Sequence, residues 1–122
     1  MAAVLGSYRD VIEFRSERFN PVLVAAGSHI KAVLTCLEAG QFIPVHTPGI
    51  DMVLLVLEGD GQVVAEDDQE FVRAGSVVFV PAGEARGLKA ETRLVALHVV
   101  SPPPTEKDHF EVMAKLKQGK WQ

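Results

Sequence analysis

The stretch GQFIPVHTPGIDMVLLVLEG, residues 40–59, carries the pattern that decides the fold. A glycine stands at each end, where tight turns between strands favour it. Between them, MVLLVL at 52–57 is an unbroken apolar run of strand length, preceded by His46 between two prolines. Because side chains alternate between the faces of a strand, this run is apolar on both sides. It therefore predicts a strand whose two faces are both covered.

Six other runs of strand-forming residues surround this one. They are VLVAA (22–26), HIKAVLTCLEA (29–39), QVVAE (62–66), EFVRA (70–74), SVVFVP (76–81) and TRLVALHVV (92–100). The connections between them hold turn residues and are too short for the crossover helices of a parallel sheet. We therefore predict an all-β chain with mainly antiparallel sheets, as a sandwich, barrel or jelly roll.

Size and composition limit the classes of function. A chain of 122 residues has room for one domain with one core. The net charge is −4 and its lysines and arginines are scattered, so we expect no nucleic-acid partner. We see no signal peptide and no apolar run of the ~20 residues that span a membrane, which predicts a cytoplasmic protein without a membrane partner. The single cysteine, Cys36, excludes an internal disulfide and favours a packing role.

The end of the chain changes character after SPPP at 101–104, because consecutive prolines stop a sheet. The following segment predicts a helix over about 105–118, capped by Thr105 and packed through an apolar stripe that includes Phe110 and Met113. We therefore predict a single domain, 1–122, with a barrel over about 20–101 and a C-terminal helix.

The second face of the central strand also needs cover, since Val53, Leu55 and Leu57 share it. A second sheet, the N-terminal segment or another subunit could cover these residues. Of these, we favour another copy of the chain and predict a homodimer.

At this point the chain resembles the cupin superfamily, whose RmlC-like members are small jelly-roll barrels. Two motifs carry the resemblance and follow each other in the family's order. Gly40, five residues, His46 and then Gly59 match the first, and Gly75, SVVFV, Pro81, Ala82 and Gly83 match the second. The resemblance implies a cupin-type double-stranded β-helix with a short C-terminal α-helix.

In metal-binding cupins, two histidines and a glutamate of the first motif and one histidine of the second hold a divalent ion. Transferred by position, the resemblance puts these ligands on His46, Pro48, Met52 and Arg86. Proline has no donor, a thioether is a poor ligand for hard or borderline ions, and guanidinium is a permanent cation. Asp51 could replace the glutamate only if the strand were bulged, because a shift of one residue changes the face. The family's metal site is therefore incomplete.

His98 could rebuild part of such a site. It shares one face of its predicted strand with Leu94, Ala96 and Val100, while Arg93 lies on the other face, which places His98 inside the barrel. Together His46 and His98, with water, Cys36 or Asp51, could hold zinc, nickel or iron, although a catalytic site normally keeps three protein ligands.

Our leading interpretation is a cupin without a complete metal site that binds a small organic anion. Four residues would line its pocket: His46, Met52, Arg86 and His98. If Arg86 points inward, its buried guanidinium needs an anionic partner, and a small organic acid supplies one. The other possibility is that Arg86 turns to the rim and pairs with Glu84 or Glu66.

Two alternatives belong to other classes of protein. The chain could be an enzyme, either a metal-dependent oxygenase or isomerase using His46 and His98, or a metal-free isomerase or epimerase with His46 as general acid or base. It could also be a structural or regulatory dimeric module without a ligand. The sequence pairs His46 with no second catalytic group, so it leaves open whether the protein is an enzyme.

Overall fold

The computed structural model describes residues 3–122, which form two antiparallel sheets and a C-terminal helix. A 3₁₀ turn, Tyr8–Val11, precedes the first strand. In chain order the elements are β1 (Asn20–Ala26), β2 (Lys31–Leu37), β3 (Phe42–His46), β4 (Asp51–Glu58), β5 (Asp60–Ala65), β6 (Asp68–Arg73), β7 (Val77–Val80), β8 (Arg86–Ala90), β9 (Leu94–Ser101) and α1 (Glu106–Lys117).

The strands are ordered β1-β2-β9-β4-β7 in one sheet and β3-β8-β5-β6 in the other. Apart from the consecutive pairs β1-β2 and β5-β6, neighbouring strands in these sheets are far apart in the chain, as in a jelly roll. The predicted all-β jelly-roll fold with one short C-terminal helix is confirmed. No helix among residues 3–122 is both long and apolar enough to cross a membrane.

Two strands are absent from the sequence prediction, β3 and β8, and Arg86 and Gly87 were wrongly placed in a turn. Pro44 conceals β3, because proline lacks the N–H that a sheet interior requires. The structure tolerates it because β3 is an edge strand. The strand β8 was missed because it contains Gly87. Glycine is needed at this position for a steric reason, since an added Cβ would lie 2.6 Å from Val45 Cγ2 on β3.

The main core lies between the two sheets and follows the alternation of β4. Met52, Leu54 and Val56 are buried, whereas Asp51 and Val53 are exposed. These buried residues pack with side chains of the second sheet, among them Val63 and Leu88. Burial of such side chains is the dominant favourable term, at roughly 25 cal/mol for each Å² of apolar surface.

The outer face of the five-stranded sheet is covered in part by the chain's own N-terminal segment. Tyr8, Ile12 and Phe14 pack over a cluster that contains Leu34 and Cys36. Cys36 is buried there, as its predicted packing role requires, and burial raises the pKa of its thiol. The N-terminal segment, one of the three possible covers named from the sequence, therefore covers part of this face. Val53 and the neighbouring Phe79 remain exposed.

Helix α1 lies against β3 at one end of the barrel. The Asp108 carboxylate accepts hydrogen bonds from the backbone N–H and the hydroxyl of Thr105, at 3.0 and 3.1 Å, which secures the start of the helix. After the helix, the Trp121 carbonyl accepts from the Val45 N–H on β3 at 2.6 Å. The predicted stripe was wrong at Phe110, which is 75% exposed; Val112 is buried instead.

Candidate functional site

A cavity of about 460 Å³ opens at the end of the barrel that α1 covers. Both sheets, α1 and the segment before β1 contribute to its wall. The structure brings together all four pocket residues named from the sequence: His46, Met52, Arg86 and His98. Their role in binding stays a prediction, whereas their position in one cavity is a property of the fold.

The strand pairing explains how residues that are distant in sequence meet. Residues opposite each other on antiparallel strands project to the same face. Val100 on β9 lies opposite Met52 on β4, and Leu54 lies opposite His98, so both pairs face inward. In the other sheet, His46 on β3 lies opposite Arg86 on β8.

Arg86 is the buried cation of the cavity, with 3% of its surface exposed. Its Nη2 donates to the carbonyl oxygens of Pro81 and Glu84 at 3.0 and 3.2 Å, and its Nε donates to the latter at 3.3 Å. Its Nη1 is buried and has no hydrogen-bond partner among the residues that the structure describes. Burial lowers the pKa of Arg86, and the carboxylates of Asp51, Asp108 and Glu84 oppose that effect. The alternative in which Arg86 turns to the rim and pairs with the Glu84 or Glu66 carboxylate is therefore wrong.

His46 has a defined tautomer. Its Nδ1 lies 2.9 Å from the Pro44 carbonyl oxygen, and since a carbonyl only accepts, Nδ1 carries the proton. The Nε2 atom is then a free acceptor. Burial lowers the pKa of His46 and the Arg86 charge lowers it further, whereas the Pro44 hydrogen bond and the carboxylates of Glu111 and Asp108 raise it.

His98 lies in the inner wall with its Nδ1 3.0 Å from the hydroxyl oxygen of Thr35. Burial lowers the pKa of His98 to about 4, with smaller contributions from His46 and Arg86. At neutral pH the imidazole is uncharged, so the cavity holds a neutral histidine close to a permanent cation. Thr35 itself is buried, and its hydroxyl has His98 as a partner.

The residues present do not fit the metal centre of metal-binding cupins. Among the side chains that the structure describes, those of residues 3–105 and 107–122, no three His, Cys, Asp or Glu residues are grouped so that they could hold a metal ion. Asp51 does not replace the missing glutamate, because it is exposed and accepts the Ala82 N–H at 2.8 Å. Cys36 cannot contribute, because it packs beneath the N-terminal segment on the outer face. Arg86 adds a positive charge where a cation would have to bind.

Several cavity residues were missed from the sequence. Lys31, Thr35 and Arg18 all contribute to the wall, and Asp108 and His109 of α1 lie at its mouth. The alternation of side chains along HIKAVLTCLEA puts Lys31 and Thr35 on one face of a strand, so the sequence could have indicated that these two residues lie together. Arg18 precedes the first strand, and no periodic pattern indicates where its side chain lies.

The chemistry available here is anion binding and proton transfer. A guanidinium with an unpartnered N–H binds oxyanions, and a neutral imidazole with a free Nε2 accepts a proton. The remaining wall is mostly aliphatic, with Leu54, Leu88 and Val100 among its members. Such a wall suits a ligand that carries a hydrocarbon portion.

No protein-family model matches the chain, and no curated protein matches it either. Solved structures do. An RmlC-like cupin from Desulfovibrio desulfuricans is 28% identical, with a TM-score of 0.76 over 84% of this chain and 99% of that one. A protein from Thermus thermophilus is 24% identical, with a TM-score of 0.79 over 82% of this chain and 98% of that one.

A cupin superfamily protein from Desulfitobacterium hafniense has the same fold at 18% identity, with a TM-score of 0.72 over 79% of this chain and 88% of its own. These similarities extend over nearly the full length of the relatives, and two motif glycines of this chain have positive φ, 80° at Gly59 and 95° at Gly75. The chain has the cupin fold, and its similarity to an RmlC-like cupin supports membership of the cupin superfamily.

Proposed function

We propose that this cupin binds a small organic anion in its barrel, with the anionic group hydrogen-bonded to Arg86. The unpartnered Nη1 of the Arg86 guanidinium is the observation that carries this proposal. Arg86 is buried, its Nε and Nη2 donate to backbone carbonyls, and its Nη1 has no partner among the described residues. Its charge forms no ion pair there either, since the ion pairs among the side chains of residues 3–105 and 107–122 are Arg15–Glu13 and Arg93–Glu38.

A buried charge without a partner is unfavourable by several kcal/mol, and fixed backbone dipoles offset only part of that cost. A bound carboxylate would satisfy the free N–H and neutralise the guanidinium at the same time. The Pro81 and Glu84 carbonyls hold the side chain in place before any ligand arrives, so binding would require little reordering.

The cavity size and lining support a ligand with an apolar body. Its volume of about 460 Å³ lies within the range of small-molecule sites. Aliphatic side chains and Met52 surround the polar groups, so a short hydrocarbon chain would be buried beside the carboxylate.

Calorimetry and thermal shift with butyrate test the proposal, with butyramide as the uncharged ligand of nearly the same shape. We expect butyrate to bind and to stabilise the protein, and butyramide to do neither. Arg86→Gln should weaken butyrate binding by at least about 30-fold, because truncating one partner of a buried charged pair costs about 2 kcal/mol or more. Arg73→Gln, which removes an exposed arginine, is the matched control. Equal affinity in a folded Arg86→Gln protein would exclude the proposal.

A second candidate function, favoured by the tautomer of His46, is metal-free proton transfer on a bound carboxylate. The Pro44 carbonyl holds the proton on Nδ1, and Nε2 is free to remove a proton from a carbon next to a carbonyl group. The imidazole would become imidazolium and the ligand an enolate, and return of the proton to carbon would restore both.

Proton NMR of pyruvate in D₂O tests this second function directly. We expect the protein to accelerate exchange of the methyl protons for deuterium, and we expect His46→Gln to lose that acceleration. His29→Gln, which removes an exposed histidine outside the cavity, controls for general histidine catalysis. Exchange that is no faster than in buffer, or that is unchanged in His46→Gln, would exclude the second function.

We also propose that the protein is a homodimer formed through the outer face of the five-stranded sheet. Val53 lies opposite Phe79 on one side and Val99 on the other, so an apolar row crosses three strands. Phe79 and Val77 are 58% and 68% exposed, and both lie on β7, an edge strand. The N-terminal segment covers the Leu34 side of this face and leaves the β7 side open.

A further inference from the structure

Lys31 is the second cation on the inner wall of the cavity. It lies opposite Val100 on β9, which in turn lies opposite Met52 on β4. Residues aligned in this way across antiparallel strands project to one face, so Lys31 shares the inward face of Met52. Its side chain is partly buried and lines the cavity.

Arg86 and Lys31 lie at opposite ends of this row. The row continues from Met52 to Val80 on β7, and the next residue, Pro81, accepts a hydrogen bond from the guanidinium. The row from β7 to β2 crosses three strand spacings, roughly 14 Å along the sheet. This distance separates the β2 backbone that carries Lys31 from the end of β7, where Pro81 accepts the hydrogen bond of the guanidinium.

Neither cation forms an ion pair within the described part of the chain. The ion pairs among the side chains of residues 3–105 and 107–122 include neither Lys31 nor Arg86. The carboxylate that lines the cavity, Asp108, accepts two hydrogen bonds from Thr105 at the helix start. A third cation, Arg18, contributes to the wall and has its Nη1 2.9 Å from the Met113 sulfur. A monoanion at Arg86 would therefore leave an excess of positive charge in a largely apolar space.

From this arrangement we infer that the preferred ligand is a dicarboxylate, with one carboxylate bound by Arg86 and the other by Lys31. The inference rests on the proposed function, because it takes Arg86 as the first anchor. A flexible lysine ammonium is suited to the second anchor, since it reaches a carboxylate without the fixed fork geometry of arginine. The aliphatic wall between the two anchors then covers the hydrocarbon segment of the ligand.

Calorimetry at constant ionic strength with malonate, succinate, glutarate and adipate tests the inference, each compared with its monomethyl ester. We expect one chain length to be preferred, and we expect that diacid to bind at least about tenfold more tightly than its monoester. Lys31→Met keeps an unbranched side chain and removes the charge, so it should abolish this discrimination and bring the affinities of the preferred diacid and its monoester within about twofold of each other. Lys117→Met, on the exposed side of α1, is the control for loss of one positive charge.

The outcomes separate this inference from the proposed function. If butyrate binds through Arg86 but each diacid binds no better than its monoester, the second anchor is excluded and anion binding remains. If Lys31→Met retains full discrimination, Lys31 is likewise excluded. If neither butyrate nor any diacid binds, both the inference and the proposed function fail.

Discussion

His46 and Arg86 face each other across neighbouring strands, as Cα partners in the ladder between β3 and β8. This pairing places a permanent cation beside an imidazole inside the barrel. The positive charge and burial both lower the pKa of His46, so the neutral form is favoured. The ladder therefore pairs a permanently charged side chain with one whose neutral form is favoured.

The stability of the protein should depend on pH through His98. Its pKa is about 4 in the folded chain and about 6.5 in an unfolded one. Between these values the unfolded state binds the extra proton, so stability rises with pH across this window and is lost as pH falls from 6.5 to 4. Below pH 4 both states are protonated, and the loss is complete, amounting to about 3 kcal/mol.

Urea unfolding at pH 7 and at pH 4 measures this effect. We expect His98→Gln to lose about 3 kcal/mol less stability between the two pH values than the parent does, because glutamine does not titrate. His29→Gln removes an exposed histidine and should retain the parent's dependence. The same pH dependence in parent and His98→Gln would contradict the assignment.

Gly59→Ala should be strongly destabilising, because two costs add at this position. Gly59 has a φ of 80°, and a Cβ there would lie 2.0 Å from the Arg93 carbonyl oxygen. Gly75 has a φ of 95° but nothing within 4 Å of an added Cβ, so Gly75→Ala isolates the backbone strain. We expect a loss of about 1 kcal/mol at Gly75 and more than about 2 kcal/mol at Gly59, measured by urea unfolding. Equal losses would show that the turn relaxes away from Arg93.

Phe79→Glu should convert the proposed homodimer into monomers. The substitution places a charge in the apolar row around Val53, where a partner subunit would have to desolvate it. Light scattering after size-exclusion chromatography measures the mass of the parent and the variant. Phe110→Glu, on a side chain of α1 that is 75% exposed, should leave the mass unchanged. A monomeric parent, or a Phe79→Glu variant that stays dimeric, would contradict the dimer.

Metal content should be far below one ion per chain. Two histidines supply fewer ligands than a catalytic site normally has, and the neighbouring Arg86 repels a cation. Elemental analysis of protein purified without a histidine tag, before and after incubation with zinc, nickel or iron, measures the content. Near-stoichiometric metal that disappears in both His46→Ala and His98→Ala would revive the metal-dependent alternative.

The fold and the site were predictable from the sequence to different degrees. Glycine-bounded apolar runs predicted mainly antiparallel sheets, and the resemblance to cupins showed which residue types, Pro48, Met52 and Arg86, stand at the family's ligand positions. These features are local, because they depend on turn conformation, on the two-residue period of a strand and on donor chemistry. The strand alternation also placed His98 on the inner face.

Only the tertiary structure decided which side chains meet. A period of two assigns a residue to a face but does not choose the neighbouring strand, so the approach of Lys31 and Arg86 to one cavity could not be inferred from the sequence. For the same reason, the sequence could not show that the carbonyls of Pro81 and Glu84 hold Arg86 inside the cavity. It also could not show that β3 is an edge strand, a position that allows Pro44. The sequence determined the antiparallel strands and the residue types at the family's ligand positions. Long-range strand pairing decided which charged side chains meet in the cavity.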